Sequence, residues 1–323
     1  MPHVLVLGAF NADALARLRA TPGFTLEEAA DLSPAGIRAL LPRADAVMCR
    51  TYPIGREEVA AAPRLRVVTR HGVGYDIIDV PALTERGIVL TITPEANAQS
   101  VAEHAMMLML ACARRVTAYD ARMRVPAWGT TADLPSFELQ GRTVLVMGFG
   151  RIGARVAKLC AAFGMRVLVR DPYMPKGTIR GCGHTPVDDL PAALSEADLV
   201  TLHTPSNAQT RGMVDAAFLG AMRRGAVLVN TSRGTVVDQV ALEGALRSGH
   251  LAAAGLDVFE EEPVTAPIPL LSAPNLVLTP HAAASTQEGL RRMAFDSVAN
   301  TTAFFAGTLD PDVVVNREVL ARG

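Results

Sequence analysis

The sequence predicts an α/β fold in which two domains are each built on an open parallel sheet. Short apolar segments alternate with helical segments along almost the whole chain, and this alternation is typical of parallel sheets covered by helices on both faces. The chain has 323 residues, which is comfortable for two domains. A glycine-rich turn between a strand and a helix begins only at Gly148, after nearly half of the chain.

The first hundred residues predict one α/β domain. Its strands are HVLVLG (3–8), AVMCR (46–50), LRVVTR (65–70) and IVLTIT (88–93). Helical segments such as 11–20 and 56–62 lie between them. Runs rich in β-branched residues, separated by helical patterns, indicate strands joined by crossover helices.

The segment 100–115 is apolar almost all round a helical wheel. Such a helix is expected to be buried, either joining two domains or lying in a dimer interface. A stretch rich in turn-forming residues follows at 124–141, and it contains Trp128, the only tryptophan.

The second half of the chain predicts another α/β unit. Its strands are TVLVMG (143–148), MRVLVRD (165–171), ADLVTLH (197–203), AVLVN (226–230), AAAGLDV (252–258) and NLVLTP (275–280). The remaining stretch, 286–323, starts helical and ends in DVVVN. Its packing partner is not evident from its pattern.

Composition excludes several classes of function. The net charge of −1 argues against a basic surface that binds nucleic acid. Four cysteines without a CxxC pair predict neither a metal site nor a disulfide framework, and they favour a reducing compartment, the cytoplasm. The longest apolar run, 105–113, is too short to span a bilayer, and the N-terminus lacks the basic region of a signal peptide.

The turn from Gly148 to Gly153 has the glycine spacing of a dinucleotide-binding loop. Gly148 permits the tight turn, Gly150 lets the backbone approach a pyrophosphate, and Gly153 lets helix and strand pack closely. The helix that follows places its positive N-terminus at the phosphates. A glycine turn without a ligand is the alternative.

Asp171 ends the strand after this turn and lies 18 residues beyond Gly153. A carboxylate at this position bonds the ribose hydroxyls of a dinucleotide, and it repels a 2′-phosphate. Asp171 therefore favours NAD over NADP. Arg170 points the other way, because a neighbouring arginine accommodates that phosphate.

Three chemically different side chains follow three strands of the second unit. Arg233 lies in VNTSRGTVVD, the acids 260–262 lie in GLDVFEEEP, and His281 lies in LTPHAAAST. Ligands of open α/β sheets bind at the carboxyl ends of the strands, so these residues are expected to converge. An arginine offers a fork to a carboxylate, and a carboxylate beside an imidazole favours the protonated form. A surface arginine, a solvated acidic loop and a structural histidine are the alternatives.

Together these motifs resemble the D-isomer-specific 2-hydroxyacid dehydrogenases, which include phosphoglycerate, hydroxypyruvate and glyoxylate reductases. The similarity covers most of the chain, and the motifs appear in the family's order: SVAEHAMMLML, LQGRTVLVMGFGRIGARVA, HTPSNAQTRGMVD, LVNTSRGTVVD, GLDVFEEEPV and LTPHAAAST. Departures are Ile77, where the family often has Asn, and the alanines after His281, where it often has Gly.

The resemblance implies a flavodoxin-like substrate-binding domain over residues 1–98, completed by 286–323. It implies a Rossmann NAD-binding domain over residues 99–285. It also implies a homodimer formed through the cofactor domain, with the helix at 100–115 and the loop around Trp128 as contributors. No regulatory domain is expected after residue 323.

The resemblance also implies roles for individual residues. Arg233 would bind the substrate carboxylate and carbonyl, Glu262 would be the catalytic carboxylate, and His281 the general acid and base. The expected cofactor-binding residues are Gly148, Gly150, Arg151, Ile152, Gly153, Asp171, His203, Thr204, Pro205, Thr231 and, beside the nicotinamide carboxamide, Asp257.

The substrate-binding residues implied in the first domain are Val73, Gly74, Arg50 and Arg70. The amides of Val73 and Gly74 suit a carboxylate without any side-chain charge. Arg50 and Arg70 end strands at places where phosphoglycerate dehydrogenases of the family meet the substrate phosphate. Two ordinary arginines are the alternative in a chain with 29 arginines and two lysines.

The expected function is reversible hydride transfer between NAD(H) and a 2-oxo or 2-hydroxy acid. Substrates of the 3-phosphoglycerate and hydroxypyruvate type come first, and glyoxylate comes next. Two alternatives share the scaffold. One is an NAD(H)-binding corepressor-like module that acts through protein partners, and the other is a dehydrogenase of the formate or phosphite type.

Overall fold

A computed structural model describes residues 1–125, Trp128 and residues 133–322. The chain forms two compact units. The first comprises Met1–Asn97 together with the residues from Ser285 onward, and the second comprises Ala98–Ala284. Each unit is built on a parallel sheet, which confirms the predicted α/β class.

The first unit contains a five-stranded sheet in the order β2-β1-β3-β4-β5, the order of flavodoxin-like folds. Its strands are β1 (His3–Leu7), β2 (Thr25–Glu28), β3 (Ala46–Cys49), β4 (Val67–Arg70) and β5 (Val89–Thr91). Its helices are α1 (Ala12–Arg19), α2 (Pro34–Leu40), α3 (Arg56–Ala61), α4 (Val80–Glu85) and the late helix α12 (Gln287–Ala306).

The strand β2 was not expected from the sequence. Its residues TLEE are partly exposed and carry two acids, so no apolar run marks them. The strand exists because it pairs in parallel with β1 at the edge of the sheet. The four predicted strands of this unit are confirmed, and β3 is completely buried, as expected between two layers of helices.

The chain after Ser285 completes the first unit. Helix α12 packs on α1 and β4, and Ala294 and Val298 join the buried cluster of the first sheet. Beyond the helix, the backbone lies antiparallel along β5, with Val315 N donating to Leu90 O at 2.9 Å. The Asn316 side chain accepts a hydrogen bond from Leu90 N at 2.8 Å.

The second unit contains a seven-stranded sheet in the order β12-β11-β10-β9-β6-β7-β8, which is the Rossmann order with one strand added. The strands are β6 (Thr143–Met147), β7 (Arg166–Arg170), β8 (Thr185–Pro186), β9 (Leu199–Leu202), β10 (Val227–Asn230), β11 (Ala253–Leu256) and β12 (Leu276–Leu278). The helices are α5 (Ala98–Ala113), α6 (Val116–Arg124), α7 (Arg151–Ala162), α8 (Lys176–Gly181), α9 (Leu190–Glu196), α10 (Ala216–Ala221) and α11 (Gln239–Arg247).

Helix α5 corresponds to the apolar segment predicted at 100–115, but it is not buried all round. Gln99, Glu103 and Met107 form one exposed stripe at a spacing of four residues. The opposite side lies on the sheet, where the missing side chain of Gly255 admits Leu108. Of the loop predicted at 124–141, residues 126–127 and 129–132 lie outside the described residues. Among the described residues, no helix has the length and apolar character needed to cross a membrane.

Candidate active site

The candidate residues of the second unit gather at one edge of its sheet. All strands run in parallel, so their carboxyl ends share that edge. The glycine turn follows β6, Asp171 follows β7, and the segment 203–205 follows β9. Thr231 and Arg233 follow β10, Asp257 and Glu262 follow β11, and His281 follows β12.

The glycine turn has the geometry that the sequence predicts. Gly148 has φ +93°, and a Cβ there would lie 2.8 Å from His203 O. A Cβ on Gly153 would lie 2.0 Å from Gly148 O, so helix α7 approaches the turn closely. Gly150 caps α7 with no side-chain hydrogen bond, and the space where its Cβ would lie is open. The first amides of α7, at Arg151 and Ile152, therefore suit an anion.

Asp171 lies beside this turn and is held by three backbone amides. Its Oδ2 accepts from Phe149 N at 2.7 Å, and its Oδ1 accepts from Tyr173 N at 2.8 Å and from Met174 N at 3.0 Å. A cavity of about 210 Å³ adjoins Asp171. Arg170 lines the same cavity and donates to Val187 O at 3.2 Å.

Several buried polar atoms along this edge have no partner among the described residues. They are His203 Nδ1, Thr204 Oγ1 and Thr231 Oγ1. Burial lowers the pKa of His203 to about 3, so its ring is neutral at physiological pH. Unpaired buried polar atoms require a partner, and a nucleotide supplies hydroxyl, phosphate and amide groups. The glycine cradle and these atoms together fit a dinucleotide such as NAD.

Arg233 is carried by a loop that Asn230 organises at the end of β10. The Asn230 amide donates to Arg233 O at 2.9 Å, and its Oδ1 accepts from Ser232 N at 2.9 Å and from Ser232 Oγ at 2.8 Å. Gly234 then packs against the backbone of Phe259, where a Cβ would lie 1.8 Å from the carbonyl carbon. This contact brings the loop of Arg233 against the loop that carries Glu262.

Glu262 and His281 form a hydrogen-bonded ion pair. His281 Nδ1 lies 2.5 Å from Glu262 Oε2, and Glu262 Oε1 accepts from Phe259 N at 2.8 Å. The hydrogen bond to Glu262 raises the pKa of His281. Burial raises the pKa of Glu262, but the His281 and Phe259 hydrogen bonds outweigh it, so the net shift is downward. Arg233 is close enough for its charge to lower both pKa values.

Asp257 is fully buried and organises the loop that carries His281. Its Oδ1 accepts from Thr279 Oγ1 at 2.6 Å and from Ala282 N at 2.8 Å, and its Oδ2 accepts from Ala283 N at 2.9 Å. His104 of α5 lies 2.9 Å from Thr279 Oγ1 through its Nε2. His104 lies in the motif SVAEHAMMLML and Thr279 lies in LTPHAAAST, but the sequence predicts no role for either, and their contacts with Asp257 bring them into the site.

In the first unit, Arg70 is committed to the backbone. Its guanidinium donates to Gly74 O at 2.9 Å, to His71 O at 2.9 Å and to Arg50 O. Within the described part of the chain, the Arg50 guanidinium makes no hydrogen bond or ion pair, and the amides of Val73 and Gly74 have no acceptor. Arg50, Val73 and Gly74 are therefore able to receive an anion.

Comparison with known proteins decides the family. Residues 106–283 match the sequence family described as D-isomer specific 2-hydroxyacid dehydrogenase, NAD binding domain. The chain belongs to the D-isomer-specific 2-hydroxyacid dehydrogenases. The resemblance carried by the sequence motifs is thereby confirmed, and the glycine turn lies within the family's NAD-binding domain.

Three similar proteins illustrate the range of similarity. A D-3-phosphoglycerate dehydrogenase of Mycobacterium leprae is 41% identical over 290 residues, which are 87% of this chain and 54% of that protein. A glyoxylate reductase of Korarchaeum cryptofilum is 42% identical over 275 residues, which are 84% of this chain and 82% of that protein. The crystal structure of an NADPH-dependent glyoxylate/hydroxypyruvate reductase of Sinorhizobium meliloti in complex with citrate has a TM-score of 0.85 at 32% identity, covering 98% of both chains.

This chain thus spans about half the length of the mycobacterial protein.

Proposed function

We propose that the protein is an NAD(H)-dependent 2-hydroxyacid dehydrogenase that interconverts a 2-oxo acid and its 2-hydroxy acid. The observation that carries the proposal is the Glu262–His281 pair, with its 2.5 Å contact and with Arg233 close by at the same edge of the sheet. The residues of the glycine turn, with Asp171, His203, Thr204, Pro205 and Thr231, hold the dinucleotide.

His281 is the general acid for reduction and the general base for oxidation. Its Nδ1 is used by Glu262, so its Nε2 is the atom that faces the substrate oxygen. Glu262 raises the pKa of the imidazole and so keeps the transferable proton in place. NADH, when bound, supplies the hydride that the substrate carbon receives.

Arg233 binds the substrate carboxylate and stabilises the negative charge that develops on the carbonyl oxygen. A guanidinium presents parallel N–H groups to two oxygens, which an ammonium group does not. The loop bonds from Asn230 keep the Arg233 backbone in place. Such preorganised donors account for a large share of catalysis, because they need not reorganise during the reaction.

The first unit, assigned to residues 1–98 and 286–323, is proposed to be the substrate-binding domain. Among the described residues, the amides of Val73 and Gly74 have no acceptor and suit a carboxylate, and the Arg50 guanidinium has no partner and suits a second anionic group. Arg70 supports the loop rather than the ligand, because its guanidinium bonds to backbone carbonyls. These features favour a doubly anionic acid such as the 3-phosphoglycerate pair, followed by hydroxypyruvate and glyoxylate, in line with the names of the relatives.

NAD is the proposed cofactor in preference to NADP. The Asp171 carboxylate stands at the cavity next to the glycine turn, where it repels a 2′-phosphate. The Arg170 guanidinium donates a hydrogen bond to Val187 O, so only its other N–H groups could bind a 2′-phosphate.

A homodimer in a reducing, cytoplasmic compartment is also proposed. Helix α6 has no buried residue, and apolar side chains are exposed on it, at Val116 and Met123, and after it, at Val125 and Trp128. Exposed apolar patches of this kind mark protein interfaces. The cysteines Cys49, Cys112, Cys160 and Cys182 are all free thiols, as a reducing compartment permits.

The decisive experiment follows NADH absorbance with a panel of 2-oxo acids: phosphohydroxypyruvate, hydroxypyruvate, glyoxylate, pyruvate and a branched acid, with NADPH in parallel. Turnover of one acid establishes the reaction and names the substrate class. NADH binding without turnover of any acid would refute the proposal, and the corepressor-like and formate- or phosphite-type functions would then be tested first.

A further inference from the structure

Helix α5 and strand β11 are in unusually close contact. A Cβ on Gly255 would lie 2.9 Å from Leu108 Cβ, so only glycine admits the helix at this distance. His104 lies four residues before Leu108, about 6 Å along the helix. Asp257 lies two residues after Gly255, about 6.6 Å along the strand direction. The helix therefore runs antiparallel to the strand, and the close contact at Gly255 places His104 beside Asp257.

The hydrogen bonds that link His104, Thr279 and Asp257 have a single consistent direction from donor to acceptor. Thr279 Oγ1 lies 2.6 Å from Asp257 Oδ1, and the carboxylate already accepts two backbone amides, so the hydroxyl proton points to Asp257. Thr279 must then accept from His104 Nε2 at 2.9 Å. His104 consequently carries a proton on Nε2. Burial lowers the pKa of His104, so the neutral Nε2–H form is the one present near pH 7.

These hydrogen bonds form a network that runs from His104 through Thr279 and Asp257 to the backbone of His281. His281 has φ +52°, a conformation that L-residues other than glycine rarely adopt. It is held there because His281 N donates to Asp257 O at 2.7 Å, while the next two amides donate to the Asp257 carboxylate. Displacing Asp257 would release three successive amides of the loop that carries the proposed general acid.

We propose that His104 and Thr279 are positioning residues that act through Asp257 to hold His281 at the reacting centre. Asp257 thereby works as the anchor of the His281 loop, whatever contact it makes with a nicotinamide. The kinetic consequences of this inference rest on the proposed function. The hydrogen-bond network from His104 to the His281 loop does not depend on the substrate.

Steady-state kinetics of paired variants test the hydrogen-bond network from His104 to the His281 loop. Thr279→Val and His104→Phe remove a donor while keeping the shape of the side chain, and Thr279→Ser and His104→Gln retain it. We expect the first pair to lower kcat by roughly 10- to 100-fold, since small misplacements of a catalytic group have effects of this size. The KM for NADH should change little, and the second pair should recover most of kcat. Wild-type kcat in Thr279→Val, or a Thr279→Ser as slow as Thr279→Val, would overturn the proposal.

Histidine NMR provides a readout that needs no turnover. In protein labelled with ¹⁵N-histidine, the spectra of His104→Phe and His281→Ala assign two of the seven histidines. We expect the neutral His104 ring to carry its proton on Nε2, and Thr279→Val to lower the pKa of His281. A proton on Nδ1 of His104, or an unchanged His281 titration in Thr279→Val, would contradict the proposal even if no 2-oxo acid is turned over.

His250→Phe is the matched control. His250 Nε2 also makes a hydrogen bond within the second unit, to Leu219 O at 2.9 Å, but it has no contact with Asp257 or Thr279. The control should lower thermal stability in the manner of His104→Phe and leave both kcat and the His281 titration unchanged. If His250→Phe shifts the His281 titration as His104→Phe does, the effect comes from a general loss of packing, and the proposal is overturned.

Discussion

Gly234 lies directly against the backbone of Phe259, so closely that a Cβ would lie 1.8 Å from the Phe259 carbonyl carbon. This contact joins the loop of Arg233 to the loop of Glu262. Backbone cannot move aside as a side-chain tip can, so any substituent at Gly234 must part the two loops.

We therefore expect Gly234→Ala to impair both stability and activity. Overpacking of this kind costs about 1–3 kcal/mol, and separation of Arg233 from Glu262 should lower kcat/KM at the same time. Gly244→Ala is the control, because Gly244 lies within α11 and, apart from that helix's own backbone, no described residue crowds the added Cβ. The control should raise the free energy of unfolding by about 0.5–1 kcal/mol. Denaturant titrations and kcat/KM measure both effects, and equal stability of the two variants would disprove the contact.

His281→Ala should remove the general acid and leave the dinucleotide site intact. Loss of such a group costs roughly 100- to 10,000-fold in rate. Binding of NADH, followed by fluorescence titration, should persist because the glycine turn follows β6 and His281 follows β12. Wild-type turnover in His281→Ala would show that another group supplies the proton.

The pH dependence of reduction should report the raised pKa of His281. Reduction needs the imidazolium, so kcat/KM should be constant at lower pH and fall as the pH rises through that pKa. Glu262→Gln removes the carboxylate whose hydrogen bond and charge raise the pKa of His281, so that pKa should fall and the decline should begin at lower pH. A decline at the same pH in both proteins would rule out Glu262 as the cause.

The Glu262–His281 ion pair also contributes to the free energy of unfolding, and it does so within a defined pH window. The contribution of His281 is complete below its unfolded pKa and is lost as the pH rises through the raised folded pKa. The contribution of Glu262 is present above its unfolded pKa and is lost as the pH falls through the lowered folded pKa. Both side chains are partly exposed, so the effect is small.

Arg50 and Arg70 should differ in what their replacement changes. Arg70→Met leaves the backbone carbonyls of Arg50, His71 and Gly74 without their donor, and we expect the free energy of unfolding to fall by about 1–3 kcal/mol. Arg50→Met breaks no hydrogen bond within the described residues, so stability should be nearly unchanged. It should instead raise the KM for a doubly anionic 2-oxo acid by roughly 10- to 100-fold. The reverse pattern would assign the ligand to Arg70.

Asp171→Asn should shift the choice of cofactor. Removing the charge at the cavity beside the glycine turn removes the repulsion of a 2′-phosphate. We expect the ratio of kcat/KM with NADPH to that with NADH to rise about tenfold or more. An unchanged ratio, with an unchanged thermal midpoint, would show that Asp171 does not select the cofactor.

The long elements of both sheets could be predicted because burial on two faces leaves an apolar run in each strand. The strands β2 and β8 could not, since β2 is an edge strand with two acids and β8 has only two residues. The stripe of Gln99, Glu103 and Met107 was missed for a related reason. Methionine and alanine dominate α5, and their apolar character hides the one face that is exposed.

The residues of the candidate site divide in the same way. His281 and Glu262 could be predicted because each follows a strand that ends at one edge. The pairing of Glu262 rather than Glu260 or Glu261 came from the resemblance, and the Glu262–His281 contact itself is seen only in three dimensions. His104 could not be predicted, because its contact with Thr279 joins residues 175 positions apart. The hydrogen bonds from Arg70 to backbone carbonyls could not be predicted either, because its charge alone does not indicate them.

The division of the first unit between both parts of the sequence has a consequence for synthesis on the ribosome. Its core includes Ala294 and Val298 of α12 beside Val4 and Val67 of the sheet. After Asn97 has been made, the whole second unit must be added before Ser285, which takes roughly 10–40 s at usual elongation rates. During that interval one face of the nascent sheet is covered by α1 but lacks α12. The middle of the chain is able to fold first, and the core of the N-terminal sheet is completed only after α12 has been synthesised.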